Sequence, residues 1–380
     1  MNHDLKTVDL FCGAGGLSLG FEQQGFSTLV ANDYHPDPCE TFEHNLGSPA
    51  IAEDITKISA EDLMEAGNFG PEDVDVVIGG PPCKGFSLAG ERDPEDPRNY
   101  LFQEYIRIVE EMDPSIVVME NVTGILSMKD GEYKRQILDK LRDLGYDTDF
   151  KILDAADYGV PQHRRRVIFV GHDPDINFEY PEPSHHEIDE GQQTLTQLDN
   201  SNEKSYVRVG DAISDLAFLE PGESASEYVN DPESAYQERM RQEATELFNH
   251  VAPNHSERIQ ERFGLMDQGS GMESLPEEHQ TKKQRMIKLD PEGLVDTITT
   301  LPEDFVHYSQ DRIPTVREMA RLQSFPDHFE FKGPRTTGGQ RRTESVPQYS
   351  QVGNAVPPLL AHAIAGEVKK ALVSGQQAVN

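Results

Sequence analysis

Cysteine, basic charge and long apolar runs are all scarce in this 380-residue chain, and each scarcity excludes something. Its three cysteines, Cys12, Cys39 and Cys83, are too few and too scattered for a disulfide framework or a zinc site. Reduced thiols and no metal are expected. No apolar stretch approaches the roughly 18–20 residues that a membrane span needs, and runs such as residues 115–119 are short. Residues 1–8 lack the basic flank and apolar stretch of a secretory signal, so a cytoplasmic location is expected. Lys and Arg number 34 against 68 Asp and Glu, a formal net charge of −34. Such an acidic excess argues at first against nucleic acid, whose partners are usually basic. Yet the acids are spread along the whole chain instead of collecting in a tail. With lysine also scarce, the composition fits a surface kept hydrated in concentrated salt and points to a halophilic source.

What is present is a strand–helix alternation over the first 175 residues. Residues 7–11, 27–31, 75–78, 116–119 and 166–170 are short strand-like runs. Between them, Leu101, Tyr105, Ile108, Val109 and Met112 recur at helical spacing, as do Ile137, Leu138, Leu141 and Leu144. Units of this length predict an α/β fold, a doubly wound and mostly parallel sheet with helices on both faces. After Gly171 the pattern dissolves into polar sequence rich in Pro, Gly, Ser and Glu, with short helical pieces such as residues 235–248. Regularity returns at residues 315–323 and 358–372. The reading is an α/β domain over 1–175, a smaller irregular domain over 176–330, and a return segment over 331–380 that completes the first.

Several places in this pattern carry residues with chemistry. Asp9-Leu10-Phe11-Cys12-Gly13-Ala14-Gly15-Gly16 puts glycines where the first strand turns into the first helix, so the backbone can approach a ligand closely. A nucleotide-type cofactor fits there, and so does a plain tight turn. Asp33, closing the second strand, stands where ribose hydroxyls would be held, or else caps the helix entered through His35-Pro36. Asp54, at the end of the third strand, has the same ambiguity. Gly79-Gly80-Pro81-Pro82-Cys83-Lys84-Gly85-Phe86-Ser87 follows the next strand. Its prolines stiffen the backbone before a thiol at the carboxyl edge, where doubly wound folds bind ligands. A lone cysteine is ordinarily a small core residue, but a rigid, glycine-flanked loop favours a nucleophile. Glu120 ends another strand on that edge, and a carboxylate following Ile-Val-Val-Met must be capped, paired or functional. Gln162-His163-Arg164-Arg165-Arg166, taken alone, reads as a solvated basic turn.

As an ordered set these segments resemble the DNA (cytosine-5)-methyltransferase family. The resemblance also rests on Asp96-Pro97-Arg98-Asn99-Tyr100-Leu101, Glu120-Asn121-Val122, Arg317-Glu318-Met319-Ala320-Arg321-Leu322-Gln323-Ser324-Phe325-Pro326 and Gln351-Val352-Gly353-Asn354-Ala355-Val356-Pro357-Pro358. It spans Asp9 to about Glu367, in the family's order. It implies S-adenosylmethionine as methyl donor, held around Phe11, Gly13, Ala14, Gly15 and Gly16. Asp33 would hold the ribose hydroxyls, Tyr34 would stack on adenine, and Asp54 with Ile55 would meet the adenine edge. Pro81 and the returning Asn354, Ala355 and Val356 would complete that pocket. The resemblance also implies that Cys83 attacks cytosine C6, that Glu120 serves N3, and that Arg166 holds O2 with Arg164 beside it. Such chemistry needs the base flipped out of the duplex. Implied partners are double-stranded DNA and a cognate restriction endonuclease, with the enzyme expected to be monomeric.

Three details depart from the usual family pattern. Lys84 stands where glutamine commonly follows the cysteine, Asp33 replaces a longer Glu, and the loop over residues 91–96 is acidic. The irregular stretch corresponds by position to a target-recognition domain, and specificity is expected between about residues 208 and 311. Lys282, Lys283, Arg285 and Lys288, then Lys332, Arg335, Arg341 and Arg342, form acid-free clusters that are either solvated surface or phosphate contacts. Rival readings are a tRNA cytosine-5 methyltransferase of the same family and a catalytically silent DNA-binding relative. A nicotinamide dehydrogenase would leave the Pro-Pro-Cys segment unexplained.

Overall fold

The computed structural model describes residues 4–82, 100–187, 204–281, 283, 285–337 and 345–378. Its strands are β1 (Leu5–Leu10), β2 (Phe26–Asp33), β3 (Ala50–Ala52), β4 (Val76–Gly79), β5 (Ile116–Val122), β6 (Asp147–Asp154), the short β7 (Gln162–His163) and β8 (Arg165–His172). All but β7 form one seven-stranded sheet in the order β3-β2-β1-β4-β5-β8-β6. The first five of these positions pair in parallel, while β8 runs antiparallel to both β5 and β6. The mostly parallel sheet expected from sequence is present. β4 and the apolar part of β5 are buried on both faces, so they read as unbroken apolar runs. β6 was not foreseen. It is one of the two edge strands, and Asp147, Asp149 and Lys151 on its exposed positions both hide the apolar signal and discourage pairing with another chain.

Helices α1 (Gly16–Glu22), α2 (Pro36–Leu46), α3 (Ala60–Gly67), α4 (Leu101–Met112) and α5 (Glu132–Asp143) accompany these strands. Strand alternation assigns the two faces. Val8 and Leu10 of β1 join a core with Leu63 of α3, Tyr105 and Val109 of α4, and Ile137 of α5. Asp9 points the other way, where the Ser18 hydroxyl of α1 donates to its Oδ2 at 2.6 Å. Tyr105 is fully buried, worth roughly 1.5–3 kcal/mol as apolar surface, and its hydroxyl donates to the Val77 and Val118 carbonyls, tying β4 to β5. The C-terminal helix Pro358–Ala378 packs on α1. At Gly20 a Cβ would lie 2.4 Å from that of Ala361, so only glycine permits this approach.

The chain divides into two compact units, one of Met1–Asp154, Arg165–Glu182 and Pro358–Asn380, the other of Ala155–Arg164 and Pro183–Pro357. These limits differ from the boundaries at 175/176 and 330/331 read from composition. Residues 331–357 stay with the second unit because Phe331 packs against Phe325 and Phe329, and because its N–H donates to Asn249 Oδ1 at 2.8 Å. The second unit remains the smaller of the two, though only by a narrow margin.

That unit holds α6 (Val209–Ile213), α7 (Ala235–Arg241), α8 (Glu257–Gly264), α9 (Val316–Leu322) and α10 (Gln348–Asn354), with two-residue strand pairs between them. The helix expected over 235–248 stops at Arg241, where Gln242 is extended and Glu243 takes a left-handed φ of 65°. α9 is entirely buried yet carries Arg317, Glu318 and Arg321. Thr315 and Glu318 cap it reciprocally, the Glu318 carboxylate accepting from the Thr315 N–H at 2.7 Å. The same carboxylate accepts two bonds from Arg312, both at 2.7 Å. Among the described residues no helix is long and apolar enough to cross a membrane.

Candidate active site

A doubly wound sheet offers its ligand site where the strand order reverses, here between β1 and β4. The chain leaves β1 through Phe11, which adopts a left-handed φ of 61°, and turns at Gly13, Ala14 and Gly15 before α1 begins at Gly16. Gly13 itself has φ 54° with open space where a side chain would project, and its N–H donates to Asp33 Oδ2 at 3.1 Å. The other Asp33 oxygen accepts from the His35 N–H at 3.0 Å. Asp33 therefore links the glycine turn to the residue that precedes α2. Burial raises its carboxyl above the ordinary value, opposed by the His35 and Gly13 amides. Beneath the turn, burial pushes Asp9 up to about 7 against the Ser18 hydroxyl.

Beside Asp33, Tyr34 leaves 64% of its surface exposed with its ring edge-on to His35. β3 ends at Ala52, so Asp54 lies beyond the strand. There it accepts from the Thr56 N–H at 3.0 Å and hydroxyl at 2.8 Å, which hold its carboxyl below the ordinary value. Ile55 is buried beneath it. An open glycine turn, an acid at the end of β2 and an uncovered aromatic next to it suit a nucleoside-bearing cofactor such as S-adenosylmethionine. Asn354, Ala355 and Val356 belong to the second unit, where Asn354 is exposed and the Ala355 carbonyl accepts from Gln323 at 2.7 Å.

On the far side of the switch point, Glu120 and Arg166 meet. Antiparallel register places Val122 opposite Arg166 and Glu120 opposite Ile168, so Glu120 and Arg166 share a face as diagonal neighbours. Arg166 Nε lies 2.8 Å from Glu120 Oε1, with both side chains nearly buried. Asn121 donates to the Pro81 carbonyl at 3.0 Å, joining the end of β5 to the segment that follows β4. Cys83 and Lys84, like the acidic loop over 91–96, lie outside the described residues.

The basic turn looks different in three dimensions. Gln162 and Arg164 are buried, and only His163 and Arg165 face outward. Gln162 donates to the Leu322 carbonyl at 3.0 Å, makes a short amide contact with Gln323, and accepts from the Ile298 N–H. Arg164 donates to the Ile298 and Gly353 carbonyls, at 3.2 and 2.9 Å. Gln323 in turn donates to the Val352 and Ala355 carbonyls. Three of the late sequence motifs are thus one buried polar network, a role invisible without the fold.

The acid-free basic clusters also change character. Lys283 faces Asp304 at 3.4 Å, Arg285 lies over the Phe305 ring, and Lys288 is buried with its ammonium on the Phe263 carbonyl. Lys332 pairs with Glu330 at 2.6 Å and Arg335 donates to the Val251 carbonyl. Of these clusters, Lys282, Arg341 and Arg342 lie outside the described residues. Asp304 supplies Lys283 with a partner from outside its cluster, Glu330 lies two residues from Lys332, and backbone carbonyls serve Lys288 and Arg335.

A cofactor turn and a carboxylate–guanidinium pair on the two sides of one switch point mark a Rossmann-like enzyme of the methyltransferase class. Comparison with known proteins refines this: the model of the C-5 cytosine-specific DNA methylase family matches residues 5–370, and the chain belongs to that family. It is 38% identical to the Type II methyltransferase M.DdeI of Desulfomicrobium norvegicum, over 96% of this chain and 88% of that protein. Identity is 36% to the Type II methyltransferase M1.HphI of Haemophilus parahaemolyticus, over 96% and 87%. A solved structure of a DNA modification methyltransferase encoded within an E. coli prophage superimposes with a TM-score of 0.75 at 27% identity, covering 97% of this chain and 99% of that one.

Proposed function

We propose that this DNA methyltransferase modifies C5 of cytosine within one specific duplex sequence, acting on a base flipped out of the helix. The observation that carries the reading is the Glu120–Arg166 pair at 2.8 Å, tied through Asn121 to Pro81, two residues before Cys83. Bound S-adenosylmethionine supplies an electrophilic methyl group, with Phe11, Gly13, Asp33 and Tyr34 as its holders. Cytosine C5 is a poor nucleophile, so the chain's own residues must activate it. The Cys83 thiolate adds to C6 while Glu120 hydrogen-bonds N3, which takes up the electron density displaced from the ring. Arg166 fixes Glu120 and holds O2. After transfer, loss of the C5 proton regenerates the double bond and expels the Cys83 thiolate. A stacked base exposes neither C6 nor N3 to these groups, hence the flip.

The Type II methyltransferases among the relatives support a restriction endonuclease partner that reads the same sequence. Bisulfite sequencing of DNA from cells expressing the protein should reveal one methylated motif. Unmethylated DNA alongside C5-methylated tRNA would instead favour the tRNA reading. Exchange of the segment between about residues 208 and 311 for a relative's should move that motif, provided Asp215 and Ile298, which serve the scaffold, are kept. A hybrid still active on the original motif would refute the placement of specificity.

The acidic surface supports a high-salt habitat. Its −34 net charge repels itself across a Debye length of ~30 Å at 0.01 M salt and only ~3 Å at 1 M. The melting temperature should therefore be higher in about 2 M KCl than in about 0.1 M. A flat or falling profile would end the salt-adaptation reading.

A further inference from the structure

Among the basic side chains of the second unit, Arg285 keeps hydrogen-bonding capacity that the fold does not use. It lies two residues before the short strand Ile287–Lys288, which pairs in parallel with Phe305–Val306. Its guanidinium settles over the buried Phe305 ring, 5.3 Å from the centroid, a cation–π contact that holds its plane. Nη2 donates to the Thr297 carbonyl at 3.3 Å. Nε is buried without a partner, so an outside acceptor must be met by the two terminal nitrogens. Beside Thr297, Asp296 sits opposite His163 of β7, and the Thr297 hydroxyl donates to the His163 carbonyl at 2.8 Å, which anchors this edge. The Asp296 carboxylate approaches Arg285 Nη2 only to 4.0 Å, too far for a hydrogen bond, with 71% of its side chain exposed against 36% for Arg285.

A donor fork and a carboxylate acceptor thus stand side by side at the surface. A phosphate would be drawn to the guanidinium but repelled by the carboxylate next to it. The edge of a G·C pair in the major groove suits both groups, since guanine shows O6 and N7 as acceptors and cytosine its N4 amino group as donor. We propose that Arg285 and Asp296 together read one G·C pair of the recognised duplex, the guanidinium donating to guanine O6 and N7 and the carboxylate accepting from cytosine N4. The reversed C·G pair would present its amino group to Arg285 and its acceptors to Asp296. An A·T pair would put the adenine amino group where guanine O6 lies. The inference rests on the placement of specificity between about residues 208 and 311, and narrows it to two side chains and one base pair.

The test offers the full-length protein a duplex library randomised around a cytosine and reads methylation by bisulfite sequencing. The wild-type motif should contain a G·C pair besides the target's own. Arg285→Ala should lower the preference for that pair over the other three by about tenfold to a hundredfold, the range a lost bidentate contact gives. Asp296→Ala should relax the same position, by less, and the remaining positions should be read as before. Arg285→Lys, which keeps the charge without the fork, should relax it too. A uniform loss over all sequences that Arg285→Lys restores would make Arg285 a phosphate contact and overturn the proposal. So would a wild-type motif without such a pair, relaxation at two different positions, or a motif unmoved in either variant. Should Arg285→Ala fail to fold for want of its packing on Phe305, Asp296→Ala, which alters an exposed side chain, decides alone. A wild-type protein that methylates no motif would instead sink the parent reading, a result distinct from a clear motif that the variants leave unmoved.

Discussion

With DNA containing 5-fluorocytosine, the wild-type protein is expected to form an adduct that survives denaturation, and Cys83→Ala to form none. Fluorine at C5 cannot leave as a proton does, so the bond between Cys83 and C6 becomes permanent. Loss of a covalent nucleophile should lower the turnover rate on ordinary DNA by roughly 10⁴-fold or more. Cys12→Ala and Cys39→Ala provide the contrast. Both thiols are buried, and burial pushes Cys12 well above its ordinary value, so little reactive thiolate forms there. Their variants should retain the adduct. An adduct formed by Cys83→Ala would transfer the chemistry to another group and remove Cys83 from it.

The second large effect concerns folding. Arg321 is fully buried on α9, where its guanidinium donates to Asp327 at 2.8 and 2.6 Å, to Asp215 at 2.7 Å and to the Ala212 carbonyl at 3.0 Å. Arg241 reaches Asp215, and Tyr228 donates to Asp327 at 2.7 Å, so the two carboxylates keep some partners without it. Even so, Arg321→Met leaves two buried anions short of a counter-charge, a loss of about 3–5 kcal/mol. Against a total stability of roughly 5–15 kcal/mol, that should unfold the second unit at moderate urea. Adding Asp327→Asn should restore part of the loss, because a neutral amide needs no cation. Urea denaturation followed by circular dichroism measures both. A midpoint unmoved in Arg321→Met would show that the network contributes nothing net.

How far the sequence could be read depended on whether the relevant neighbours were local. β4 and the central parts of β5 and β8 are apolar because both faces are covered, so their runs stand out. β6 escaped because an edge strand alternates with charge. Glu120 and Arg166 were visible as separate motif residues, but their pairing needs the antiparallel register of β5 and β8, which no local pattern announces. Gln162 and Arg164 read as part of a solvated turn since their partners lie more than a hundred residues away in sequence. Lys283 and Lys332 misled in the same way: the acids that neutralise them come from Asp304 and Glu330, one distant, one adjacent to the cluster.

The C-terminal helix on α1 imposes a schedule on synthesis. Leu17, Leu19 and Phe21 of α1 are buried in the finished protein, as are Leu360, Ile364 and Val368 of Pro358–Ala378, the helix that packs on α1. On the ribosome, β8 emerges long before that helix does. At ~5–20 residues per second, the roughly 190 residues between them occupy about 10–40 s. Throughout that interval the nascent first unit carries an uncovered apolar helix beside a nearly complete sheet, a surface suited to chaperone capture. A circular permutant that translates Pro358–Ala378 ahead of β1 would close this window at the start of synthesis.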